Sequence, residues 1–339
     1  MAIIDVPIGA IKQKRRRTEQ VLGLPESGPS SRGSTYWRRL LACPREHFLG
    51  NVLGWAPLDR TDPLEYGLLW HVLMEQLYLD MRDVQHHRYA HAVGPDTRVF
   101  ETLRPFFSER GWEEGAEKIG KMLDAYLSRW YRTDLSELAV EATEETFQIT
   151  LEDGFGFEWS NRMDLRGIDH SQFQRCRRHW EHKTTWRMDS ELILGFRMDL
   201  QITGQTFLMT REFGEAQDGL PYLGAIVNII ARPSSTSARS REPDTAREVI
   251  QSTPTDIAAW IESMRFHQRL LATYQKMDEY PRNYNSCVRR YGRCAFFNLC
   301  QARPQDTVGS LRDEDARIRA GEASHMPGYR YANEGDSDD

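Results

Sequence analysis

Near Glu141 the hydrophobic pattern of this 339-residue chain changes period, and that change limits what the chain can fold into. From Ser34 to about Tyr131, apolar residues recur every three or four positions, as in helices with one buried face. "STYWRRLLACPREHFLG" opens on a residue able to cap a helix, and Trp37, Leu40 and Leu41 fall on one side of it. In "PLEYGLLWHVLMEQLYLDM", Leu68, Val72, Glu75 and Leu79 form a stripe with Leu69, Leu73 and Leu77 beside it. A third helix is predicted through "WEEGAEKIGKMLDAYLSRWY". Beyond Glu141, "EETFQITLEDGFGFEWSNRMDLRGID" reads as strands with a hairpin turn at Asp153-Gly154, and "RHWEHKTTW" continues the sheet. "SELILGFRMDLQITGQTFLMTREF" returns to a helical period. The Ile- and Val-rich run "YLGAIVNIIAR" reads as a buried strand, and a helix from about Thr255 to Met277 leads into a cysteine-rich end. This order predicts a mixed α/β core with a helical region before it.

The ends read differently. Residues 1–30, with "IKQKRRRTEQ" and the Pro/Gly/Ser-rich "LPESGPSSRGS", predict a disordered basic tail, and residues 312–339, closing on "YANEGDSDD", a polar, acidic one. One folded domain is predicted over 31–311: a helical part at about 34–140, a core at about 141–285 and a Cys-rich segment at 286–301. The composition, 40% hydrophobic and 28% charged, is that of a soluble globular protein. No apolar run approaches the roughly 18 residues of a membrane helix, and no apolar leader opens the chain, so a cytoplasmic protein is expected. The net charge of −6 neither advertises nor excludes nucleic-acid binding, for which a local basic groove matters more than the sum.

Chemistry gathers at "HWEHKTTW", residues 179–186. On a strand Glu181 and Lys183 share a face while His182 points away. Asp164, in "NRMDLRG" on the preceding strand, can meet Glu181 at one end of the sheet. Phosphodiester hydrolysis with Mg²⁺ or Mn²⁺ needs such hard oxygen ligands, and a nearby lysine to orient or deprotonate water and offset phosphate charge. Taken alone, the three residues favour the reading of ordinary surface residues. The five cysteines, in a chain without a secretory signal, point away from a disulfide framework. Cys43, Cys287, Cys294 and Cys300 can bind zinc or an iron–sulfur cluster, which spacing does not separate, while buried free thiols explain poorly three cysteines within fourteen residues of a polar, aromatic segment. Cys176 stands apart. Arg289, Arg290 and Arg293 can face phosphates or solvent. Trp180 and Trp186 can stack on bases or pack in a core. "GAEKIGKM" imitates a phosphate-binding loop but lacks its final Ser/Thr and a preceding strand, and reads as mid-helix. His87 and His91 in "HHRYAH" lack a third ligand.

Taken together, "MDLRGID…WEHKTT" resembles the core motif of the PD-(D/E)XK nuclease superfamily, an Asp followed by Glu-x-Lys on the next strand. "GLLWH" (Gly67 to His71) resembles the Gly-x-x-x-His motif of its RecB-like branch, which includes CRISPR-associated and phage exonucleases. "DLQITGQTF" matches that branch's glutamine at Gln201, while Gln205 stands where a tyrosine is usual. "STYWRRLLACPREHFL" and "YPRNYNSCVRRYGRCAFFNLC" extend the likeness over roughly 34–300. The resemblance implies a restriction-endonuclease-like mixed sheet flanked by helices, with the Cys-rich segment closing on Cys43. It implies a Mg²⁺- or Mn²⁺-dependent deoxyribonuclease, an exonuclease on single-stranded DNA or DNA ends, in repair, recombination or viral DNA metabolism. A helicase or recombinase is a possible protein partner. His71, Asp164, Glu181 and the His182 backbone carbonyl would hold the ion, Lys183 would position and activate water, and Gln201 would orient the site or the DNA. Cys43, Cys287, Cys294 and Cys300 would carry a [4Fe-4S] cluster, with zinc the alternative. A catalytically inactive DNA-binding subunit of a larger complex is the rival to the nuclease, and Gln205 is the departure that favours it.

Overall fold

The computed structural model describes residues 12–14, 32–58, 62–85, 113–151, 157–214, 218–233, 243–289, 292–324 and 326–331. The hairpin turn predicted at Asp153-Gly154, the pair His87 and His91, and Arg290 lie outside them. A short strand, β1 (Lys12–Lys14), is followed by helices α1 (Ser34–Ala42) and α2 (Pro44–His47), strand β2 (Trp55–Pro57), and helices α3 (Asp62–Gln85), α4 (Glu113–Tyr126) and α5 (Arg132–Glu137). The sheet follows at the change of period, with β3 (Leu138–Thr150), β4 (Glu158–Asp169) and β5 (Cys176–Thr185). Helices α6 (Ser190–Gly195) and α7 (Leu200–Phe213) lead to β6 (Tyr222–Ala231), β7 (Thr245–Ile250) and α8 (Pro254–Met277). In the Cys-rich segment, β8 (Val288–Arg289) and β9 (Gly292–Arg293) pair with each other.

Five strands, β3 to β7 in sequence order, form a mixed sheet, and β1 adds to its edge beside β3. Neighbours are antiparallel except β5 and β6, which run parallel. A parallel pair needs a crossover, and α6–α7 supply it. Both faces of the sheet are covered, so β6 reads as continuously apolar. Ile226 and Ile230 pack with α3 and α4, together with Leu165 and Trp180. Ala225, Val227 and Ile229 pack with Phe196 and Ile202 on the crossover side. A third cluster joins Trp37 and Leu40 of α1 to Phe147, Trp159, Phe207 and, on α8, Trp260.

Four details depart from the sequence reading. The buried face of α3 carries Leu69, Trp70, Leu73, Met74, Leu77 and Tyr78, whereas Leu68, Val72 and Leu79 are half-buried and Leu41 on α1 is exposed. Strand β7 was not predicted: it covers the edge of β6 with Ile250 buried and Val249 exposed, so it has little apolar signal. Inside the basic segment expected to be disordered, Lys12–Lys14 pairs with Thr146 to Gln148 through main-chain groups, which need no apolar side chains. The segment beyond 311 also packs. Helix α9 (Phe297–Ala302) is followed by α10 (Val308–Arg319), which buries Leu311 and Ile318, and by β10 (Tyr329–Tyr331), antiparallel to β2. Asp315 anchors it, accepting hydrogen bonds from Trp55 Nε1 and the Tyr331 hydroxyl, each at 2.8 Å. A polar sequence hid this because one buried carboxylate does part of the fixing.

His47 gives a test of the helical layer. Its ring is fully buried against Tyr36, and burial pushes its pKa down from the ordinary 6.5 to about 4. Below pH 6.5 the unfolded chain therefore takes up a proton that the folded state refuses. The contribution is intact above 6.5 and is lost as pH falls towards about 4, by about 3 kcal/mol at most. Thermal melts of His47→Gln should fall less steeply than the parent's across that window; parallel curves would contradict the assignment.

Candidate metal centre

Strands β4 and β5 pair only from Asp169 opposite Cys176 to Leu165 opposite Trp180. Asp164 and Glu181 are the next residue on each strand, so both acids stand where the ladder ends. The main-chain N–H of His182 donates instead to Asp164 Oδ2 at 2.6 Å. A side chain thus replaces a ladder bond and fixes the carboxylate. The other oxygen, Oδ1, is 3.2 Å from His71 Nδ1, delivered by α3 one turn after Gly67.

A third group joins them. His71, Glu144 and Asp164 each offer a ligand atom within 4.8 Å of the others'. Glu144 was not singled out from the sequence, where it is one of three glutamates in "EATEET". Thr143 lies opposite Leu165 and Glu145 opposite Met163, which sets Glu144 across from Asp164. Its backbone is left-handed, with φ 48°, a conformation that costs a non-glycine residue energy and is retained where surrounding structure imposes it. Its carboxylate is buried 2.6 Å from Arg162 Nε.

Glu181 sits beside this group, outside the 4.8 Å cluster. It is buried and accepts three hydrogen bonds. Lys183 Nζ (2.5 Å) and Gln201 Nε2 (2.6 Å) reach Oε1, and Gln205 Nε2 (2.6 Å) reaches Oε2. Lys183 also donates to Gln201 Oε1 at 3.0 Å. Both glutamines come from α7, whose start is capped by the Asp199 carboxylate accepting from the Gln201 and Ile202 N–H groups. Gly204 lets α7 lie this close: a Cβ there would stand 2.4 Å from Trp159.

Three buried carboxylates in one place set the electrostatics. Burial alone would raise Asp164, yet the His71 imidazole beside it holds its carboxyl well below the ordinary range. Burial pushes Glu144 up to about 8, against Arg162. Burial and the Asp164 charge raise Glu181, against Lys183. Burial would lower Lys183, but Glu181 and Asp164 outweigh it and hold the amine as an ammonium. The donor set, carboxylate oxygens with one imidazole, fits Mg²⁺ or Mn²⁺, and a divalent cation would relieve the crowded negative charge.

Behind the centre, the His182 ring stacks on Tyr78 with centroids 5.6 Å apart, and its Nδ1 is 3.3 Å from Asn228 Nδ2. Asn228 is in turn held by Arg247 Nε at 2.7 Å, and Arg247 is paired with buried Asp134 at 2.7 Å. His182 is thus fixed by its side chain on one face of the sheet and by Asp164 through its main chain. Trp180 is buried in the core; Trp186 is half exposed with Arg232 4.1 Å over its ring.

All five cysteines are free of disulfides. Cys43, Cys287, Cys294 and Cys300 line one pocket, with Glu46, Arg282 and Phe296 among its walls, while Cys176 is buried elsewhere, on β5. The backbone N–H of Asn283 points at Cys43 Sγ (3.4 Å), and Arg289 is ion-paired with Glu46. Arg293 lies over the Phe297 ring. "GAEKIGKM" lies on α4, where Ile119 and Met122 are buried.

Fold and site define a mixed α/β protein with a buried imidazole–carboxylate centre at the point where two sheet strands part. The family model of the PD-(D/E)XK nuclease superfamily matches residues 35–301. The chain belongs to that superfamily, which points to metal-dependent phosphodiester hydrolysis and a nucleic-acid substrate. No curated protein matches it. A solved structure described as a "Putative exonuclease" from Eubacterium rectale is similar at a TM-score of 0.40 and 9% identity, over 85% of this chain and 93% of that one. Among the described residues, no helix is long and apolar enough to cross a membrane.

Proposed function

We propose that this chain is a Mg²⁺- or Mn²⁺-dependent deoxyribonuclease of the RecB-like branch, an exonuclease acting on single-stranded DNA or DNA ends. The observation that carries the reading is the meeting of His71 and Asp164, with Glu181 and Lys183 beside them, where β4 and β5 diverge. His71, Asp164, Glu181 and the His182 carbonyl would hold the ion, and Glu144 is a further candidate oxygen donor. Bound there, the ion supplies Lewis-acid activation of water and of the scissile phosphate.

The chain's own groups do the rest. Asp164, ionised and hydrogen-bonded to the His182 N–H, keeps its position without the ion. Lys183 acts as a donor: its ammonium orients the attacking water and offsets the charge on the phosphate. Gln201 bridges Lys183 and Glu181, so the acid and the amine move as one unit. Trp186, backed by Arg232 and half exposed one residue past β5, offers a face on which a base of a single strand would stack. The rival reading of an inactive DNA-binding subunit rested on Gln205, and that side chain is hydrogen-bonded to Glu181.

The proposal extends to Cys43, Cys287, Cys294 and Cys300, which line one pocket and would hold a [4Fe-4S] cluster that ties the Cys-rich segment to Cys43. Burial pushes the Cys294 thiol up to about 12, so without a metal it stays protonated. The test of the nuclease is end-labelled single- and double-stranded DNA incubated with the purified chain. Single-nucleotide or short products should appear with Mg²⁺ or Mn²⁺ and vanish with chelator. Uncut DNA under all metal conditions would end the reading.

A further inference from the structure

The two oxygens of Glu181 offer about four lone-pair sites. Oε1 receives two donors, Lys183 Nζ and Gln201 Nε2, whereas Oε2 receives Gln205 Nε2. Among the described residues, Oε2 is therefore the oxygen with room for a cation, and Gln205 decides which way it faces. We propose that Gln205 is a positioning residue that aims Glu181 at the divalent ion, an inference that rests on the metal-centre reading above.

The amide is oriented by its own surroundings. Gln205 is fully buried, and besides Glu181 Oε2 its Nε2 lies 3.5 Å from Asn161 Oδ1 and 3.4 Å from the Arg162 carbonyl oxygen. The Glu181 carboxylate oxygen and the Arg162 carbonyl oxygen are acceptors, so the atom between them is the NH₂ group, and a flipped amide would set oxygen against oxygen. The amide oxygen is buried without a hydrogen-bond partner among the described residues, so the orientation of Gln205 is set at its NH₂ end. Gln205 stands where the resembling motif carries tyrosine; here the position serves the acid from behind.

The experiment uses the full chain and Mn²⁺ as probe. Gln205→Met keeps the volume and removes the donor. Its Mn²⁺ affinity, from calorimetry or the free-Mn²⁺ paramagnetic signal, should fall ten- to a hundredfold, the usual cost of losing a partner that orients a metal ligand. Raising Mn²⁺ by the same factor should restore DNA cleavage, which a packing defect would not allow. Parent-like affinity, or a loss of cleavage that excess Mn²⁺ does not restore, overturns the inference. If Gln205→Met does not fold, Gln205→Asn, which keeps the amide but shortens its arm, takes its place: the same fall in affinity and the same rescue are expected, and the same failures overturn the inference. A parent that binds no Mn²⁺ removes the metal centre, and the inference with it. A parent that binds Mn²⁺ while the variants match it removes the inference alone.

Discussion

Lys183→Ala should slow DNA cleavage about 10²–10⁴-fold, the range supplied by a positioned proton donor or acceptor, and should leave Mn²⁺ binding no weaker than in the parent. The two halves of that result come from one arrangement. The ammonium lies 2.5 Å from Glu181 and 3.0 Å from Gln201, and its partners hold it charged. A cation beside a metal ion repels it, so its removal cannot lower metal affinity by charge. It is, however, the one described cation bonded directly to Glu181, and the phosphate would lose its offsetting charge and the water its orienting donor. The rate loss corresponds to about 3–5 kcal/mol of transition-state stabilisation. Asp164→Asn should behave differently. It weakens the group that meets both His71 and the His182 N–H, so metal affinity and cleavage should fall together. Parent-like cleavage by Lys183→Ala would remove the catalytic assignment. Equal loss of Mn²⁺ binding in both variants would place Lys183 in the structural support of Glu181 rather than in the chemistry.

The contrast between Asp164 and Glu144 shows what the sequence could carry. Asp164 was legible because Asp, then Glu-x-Lys on the next strand, is a pattern that survives without coordinates. Glu144 was not, since its place depends on a positive φ inside β3 and on a register that only the paired strands define. Gln205 was visible as a departure from a motif, but its meaning depended on α7 lying against the sheet at Gly204. The alternating strands and the buried run of β6 were readable because both faces impose a simple period. β7 and α10 were not: the first is an edge strand in which Ile250 is the buried apolar residue, and the second packs a few apolar residues around a buried aspartate. Polar fixing of this kind leaves no hydrophobic signal.

Anaerobically purified parent should be brown and carry about four irons per chain, and Cys287→Ser should lose both the colour and about 10 °C of thermal stability. The four cysteines come from opposite ends of the domain yet line one pocket. A group bound there closes a loop from Cys43 to Cys287, and closure of a loop that long is worth about 5 kcal/mol in chain entropy. Four thiols can hold an iron–sulfur cluster or a single zinc ion, and metal content separates the two. The pocket wall adds Arg282 beside thiols that burial keeps protonated at Cys294 and Cys300, so a metal is what would turn them into thiolate ligands. One zinc per chain and no colour would replace the cluster while keeping the tie between the two ends. A colourless, metal-free parent with the same melting temperature as Cys287→Ser would leave the pocket as ordinary packing.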